Sequence, residues 1–140
     1  MATFATKHGT LTVTATGPTD AYIDVSNIVF HGIAHKGNVR ISGLDGNATI
    51  AYVWVHRAAG FHDETTPTAR KFICESALMA AKHAYASNRE EFRAAERAEL
   101  VSKIESAQNK IAEIEAELAS AKNELKAARA RLAAFDKGAA

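Results

Sequence analysis

The chain has 140 residues, 47 % of them hydrophobic, with 17 Lys/Arg against 16 Asp/Glu, which suits one domain or a small domain with an extension. Residues 1–86 carry seven Lys/Arg and six Asp/Glu and residues 87–140 carry ten of each, so no basic half exists to mark binding of duplex nucleic acid. Cys74 stands alone, which excludes an internal disulfide framework and fits a cytoplasmic setting; no apolar run reaches the ~18 residues of a membrane span, and Met1 to Gly9 lacks the apolar segment of a secretion signal.

Taken in chain order, residues 10–16 alternate Thr with Leu11, Val13 and Ala15, the period-two pattern of a half-buried strand. Gly17-Pro18-Thr19-Asp20 reads as a turn. Tyr22 to Phe30, rich in β-branched and aromatic residues, is a second strand. Gly32 and Lys36-Gly37-Asn38 punctuate the chain before a third, Val39 to Leu44. Asp45-Gly46 is a hairpin signal, because a two-residue turn needs positive φ at both positions. Ala48 to Arg57 is the last strand. Ile50, Tyr52, Trp54 and His56 share one of its faces and Ala51, Val53, Val55 and Arg57 the other, so it is expected to be central, covered on both sides.

Thr66-Pro67 then starts a helix: a hydroxyl caps a free amide, and proline fits the first helical position. From Pro67 to Ala86 this helix is apolar around most of its girth, with Lys71, Glu75 and Lys82 on a narrow wet face, so it is expected to lie buried. Ser87 with Glu90, or Asn88 with Glu91, makes a capping box that opens a second helix; a single kinked helix is the alternative.

From Leu100 the apolar positions recur at spacings of four and three through Ile104, Ala107, Ile111, Ile114, Leu118, Ala121, Leu125, Ala128, Leu132 and Phe135. With Ile104 at heptad position a, a parallel in-register partner would face Lys110 with Glu115, Glu117 with Lys122, Glu124 with Arg129 and Arg131 with Asp136. All four pairs are opposite in sign. Each exposed pair is worth only ~0–1 kcal/mol, so their effect is to select a register. Isoleucine at the early a positions suits a dimer, whereas leucine later, with Ile114 at d, suits larger bundles. Upstream of Leu100 the register fails, since Arg93 and Arg97 fall on d and a; Phe92 and Ala95 define a different stripe that docks on the β head.

The chemistry is sparse. His31, His35, His56, His62 and Asp63 are of zinc-ligand type but lack compact ligand spacing, so no metal is expected. Cys74 sits mid-helix with no motif around it and is read as a packing residue. No Walker loop, dinucleotide-binding glycine fingerprint, serine elbow or paired carboxylates occur. The expectation is a non-catalytic protein with no cofactor. One segment suggests binding. Arg57 leaves the last strand, Phe61 and His62 lie in the loop, Thr66 and Thr68 surround the helix start, and Arg70 lies in its first turns. A helix N-terminus offers free amides and the positive end of a dipole, so these six residues form the candidate anion site, with Arg57 and Arg70 converging and an aromatic ring stacking on a base. Asp63 and Glu64 act against an anion there.

The expected architecture is α+β. A small antiparallel sheet of four or five strands packs on a buried helix (residues 1–86), and a long C-terminal coiled-coil helix follows (residues 87–140). The expected function is a homo-oligomeric binding protein that sequesters or senses a small nucleotide-like anion. The alternative is an adaptor that assembles through the coiled coil and uses the β head for protein–protein contact.

Overall fold

The computed structural model describes residues 1–59 and 65–139. The chain divides into two units, Met1–Glu99 and Leu100–Ala140. The first holds a five-stranded antiparallel sheet of order β1-β2-β3-β4-β5: β1 (Ala2–Thr6), β2 (Gly9–Ala15), β3 (Ala21–Phe30), β4 (Ile33–Ser42) and β5 (Thr49–Arg57). Every strand pairs with its sequence neighbour, so short-range patterning alone could build the meander. Two helices follow, α1 (Pro67–Ser87) and α2 (Arg89–Ala139). The α+β fold expected from the sequence is the fold observed.

Period-two alternation explains which face of the sheet is covered. Leu11, Val13, Ile23, Val25, Val39 and Ile41 point to one side and are essentially inaccessible to solvent. In β3 the alternation slips: Ile23 and Val25 are buried, Ser26 and Asn27 are exposed, and Ile28 and Phe30 are buried again. The slip coincides with register shifts toward both neighbouring strands, and the Ser26 amide donates to Asp24 Oδ1 at 2.9 Å there. A bulge thus turns Ile28 and Phe30 back to the core side.

Helix α1 packs on that face through Ala69, Ile73, Ser76, Ala77, Ala80, Ala81 and Ala84. Alanines dominate this stripe, so the helix backbone can lie close to the sheet, and Ile73 supplies the bulk. Lys71, Glu75 and Lys82 stay in water as the pattern implies, with Lys71 Nζ and Glu75 Oε1 4.0 Å apart. The two helices are separate. Asn88 leaves helical geometry at φ −134°, ψ 49°, and its side-chain amide donates to Glu91 Oε2 at 3.0 Å. Glu91 Oε1 accepts from the Ala15 amide at 3.3 Å, tying the joint to β2. Phe92 is buried in the same core, so the stripe upstream of Leu100 does dock on the head.

Four details differ from the sequence reading. β5 is an edge strand, paired within the sheet with β4, and its Tyr52 and Trp54 face is exposed; a register shift near Ala51 pairs Ile50 with Ile41 and so takes it off that face. Apolar residues on both faces therefore do not signal a central strand here. β4 begins at Ile33, well before Val39, because the chain reverses at His31-Gly32 with φ of 49° and 77°. That pair makes the two-residue turn, a geometry that requires positive φ at both positions. Asp45-Gly46 instead sits within a longer β4–β5 connection, whose positive φ (73°) falls on Gly43. β1, outside the segments read as strands, completes the sheet.

In the second unit, α2 runs to Ala139, and every residue from Leu100 to Gly138 is exposed. No helix among the described residues is long and apolar enough to cross a membrane.

Candidate functional site

Thr66 caps α1 as its sequence suggests. It holds extended geometry (φ −65°, ψ 153°), and its hydroxyl accepts from the Ala69 amide at 3.3 Å. Pro67 occupies the start of the helix, and no acidic residue lies in the first turn to offset the positive end of the dipole. Beside this terminus is a cavity of about 290 Å³, near the lower end of the range for small-molecule sites. Arg57, Thr66 and Thr68 line it together with Phe30, His31 and His35, and His35 is the cross-strand neighbour of Arg57.

Of the six residues singled out in the sequence, three therefore share one cavity. Arg70 lines a neighbouring one of about 410 Å³, with Trp54, His56, Thr65 and Pro67. The reason is helical geometry. Two residues apart on an α-helix is a rotation of ~200°, so Thr68 and Arg70 point to different sides. Phe61 and His62 lie outside the described residues, as do Asp63 and Glu64.

Part of the cavity's lining has no counterpart in the sequence reading. It is built by the β3–β4 hairpin, and His31, at φ 49°, is the one non-glycine residue with positive φ among those described. Its ring meets Phe30 edge-on at 4.3 Å between centroids, and His8 packs edge-on against Phe30 and Phe72 at 4.6 and 4.7 Å. His35 is buried, with Nε2 2.8 Å from Thr65 Oγ1. Burial lowers its pKa below the ordinary histidine value, and the positive charge of Arg57 adds to the effect. A neutral imidazole thus stands beside a permanent cation.

Arg57 is half-buried, and its Nε is shielded from solvent without a hydrogen-bond partner among the described residues. Among the described residues, no group of three His, Cys, Asp or Glu could hold a metal ion. Cys74 is partly buried on α1, and burial raises its thiol pKa; Arg70 offsets this in part and Glu75 adds to it.

A second surface lies on the uncovered face of the sheet. Tyr22, Arg40 and Tyr52 stand in one cross-strand row, with the guanidinium 5.9 and 5.8 Å from the two ring centroids. In the next row Asn38 pairs with Trp54, whose indole meets His56 edge-on at 4.2 Å.

Comparison with protein-family models, curated proteins and solved structures finds no match to this chain.

Proposed function

We propose that this is a non-catalytic, homo-oligomeric binding protein whose head holds a small nucleotide-like anion at the start of α1. The observation that carries the reading is the Arg57 guanidinium. It lines a cavity, is half-buried, and makes no ion pair with the described residues. Among the described residues this partly desolvated cation has no counter-charge, which is unfavourable, and the first turn of α1 has no acidic residue to offset the positive end of its dipole. An anion relieves both. Thr66 and Thr68 would add neutral donors, and the Phe30 and His31 rings a surface for a base. A cytoplasmic setting accords with the single cysteine.

The test is calorimetric titration of mono-, di- and cyclic nucleotides against the wild type, Arg57→Ala and Arg70→Ala. A charge-assisted hydrogen bond contributes ~1.5–3 kcal/mol, so Arg57→Ala should weaken binding roughly tenfold or more. Arg70→Ala, on the separate cavity, should leave affinity nearly unchanged. Absence of heat from the whole panel would reject the reading.

One observation favours the adaptor alternative. Tyr52 and Trp54 are exposed side by side on an edge strand, with Arg40 between two tyrosine rings, and Trp, Tyr and Arg are enriched at the energetic centres of protein interfaces. Under that reading Tyr52→Ala would abolish capture of a protein partner, and nucleotides would produce no thermal stabilisation.

A further inference from the structure

The oligomeric part of that reading can be made specific. Ile104, Ile111, Leu118, Leu125 and Leu132 recur every seventh residue on α2, and each is more than half exposed. Ile114 and Phe135 continue the same stripe at the d positions, also more than half exposed. A single-sided apolar stripe sustained over more than four heptads needs a second helix to bury it. We propose that its occupant is α2 of a second copy of this chain, running parallel and in register.

Charge complementarity selects both the occupant and its direction. Lys110, Glu115, Glu117, Lys122, Glu124, Arg129, Arg131 and Asp136 flank the stripe and are all exposed. In a parallel pair each g residue meets the following e residue of the other helix, so Lys110 meets Glu115, Glu117 meets Lys122, Glu124 meets Arg129 and Arg131 meets Asp136. Every charged contact is attractive, and symmetry repeats each one. An antiparallel pair with full overlap, Ile104 beside Phe135, brings g against g and e against e. Lys110 then faces Arg131 and Glu117 faces Glu124, leaving Glu115 with Lys122 as the one attractive combination. Sliding that pair by one heptad brings Glu117 to Arg131 and Glu115 to Arg129, but it sets Glu124 on Glu124 and Lys122 on Lys122, like-charged contacts that the parallel pair lacks, and it removes a heptad from the seam. The apolar stripe drives association, and the flanking charges select the direction.

Single cysteines placed in a Cys74→Ser background test this. Ile104→Cys and, separately, Leu132→Cys should each form a disulfide-linked dimer with their own copies under mild oxidation, since both positions face themselves in a parallel pair. In the antiparallel arrangement Ile104 lies about 46 Å from its own copy, at 1.5 Å of rise per residue, and cross-links instead to Phe135→Cys in a mixed sample. Cross-linking confined to that mixture would overturn the proposal. So would a wild-type chain that sediments as a monomer. Nucleotide titration of the same samples separates the two readings: an antiparallel dimer or a monomer that still gives heat removes the proposed pairing and leaves the anion site intact.

Discussion

His35 Nε2 and Thr65 Oγ1 stand 2.8 Å apart, joining β4 to the residue just before the cap of α1. This contact couples the wall of the cavity to the helix start, and it depends on the protonation of a buried ring. In the unfolded chain His35 titrates near the ordinary value of 6.5, and in the folded chain burial holds it lower. Between those two values the unfolded state binds more protons, so folding stability rises with pH across that window. The contribution is complete above pH 6.5 and is lost as pH falls toward the folded-state value. Urea midpoints should therefore drop from pH 7.5 to pH 5, and His35→Gln should show a shallower drop. Equal slopes in the two proteins would mean that other groups set the acid sensitivity.

A second prediction concerns Gly37, which lies inside β4 opposite Val55. Its φ is 130°, and a Cβ built there would fall 1.8 Å from the Trp54 carbonyl oxygen. Neither the backbone conformation nor the space admits a side chain. Gly37→Ala should destabilise the head by at least roughly 1–3 kcal/mol, the usual magnitude of a strained backbone site, measured by urea denaturation followed through Trp54 fluorescence. An unchanged midpoint would show that β4 and β5 can part at this point without loss.

Gly37 also shows where sequence reading stops. A glycine between Lys36 and Asn38 looks like punctuation, yet the strand runs through it because the neighbouring backbone approaches closely. The meander was legible because each strand pairs with its sequence neighbour and local alternation marks the buried face. Edge position was not legible. Tyr52 and Trp54 have the composition of a covered face, and only the strand order shows that β5 ends the sheet. At the candidate site the same division holds. Thr66-Pro67 announces a helix start locally, and Arg57 follows from the strand that ends before it. Phe30, His31 and His35 come to the site from the β3–β4 hairpin, with no local signal linking them to Thr66.

Cys74 should react slowly with iodoacetamide at neutral pH. Burial raises its thiol pKa, an effect that outweighs the nearby Arg70, so little of the nucleophilic thiolate is present and access to it is restricted. Alkylation followed by mass spectrometry should accelerate at least tenfold when urea unfolds the head. A thiol that reacts as fast folded as unfolded would place Cys74 in a more open environment than the one described.

The last prediction asks whether the stripe on α2 or the sheet-bearing head holds the assembly together. Ile111 and Ile114 are exposed in the single chain and lie in adjacent layers of the stripe. Neither belongs to the core of the first unit, which is formed by the sheet, α1 and Phe92. Replacing both with aspartate should therefore leave the head folded. Each isoleucine buried by a partner contributes roughly 1.5–3 kcal/mol, so losing two from each of two helices removes about 6 kcal/mol or more from association, before any penalty for burying carboxylates. That change corresponds to more than four orders of magnitude in the dissociation constant. Sedimentation velocity of Ile111→Asp/Ile114→Asp should show a smaller species than the wild type, and unchanged Trp54 fluorescence would report an intact sheet. A double variant that keeps the wild-type mass would transfer the assembly to the head, where the exposed Tyr52 and Trp54 on the edge strand are the surface to substitute next.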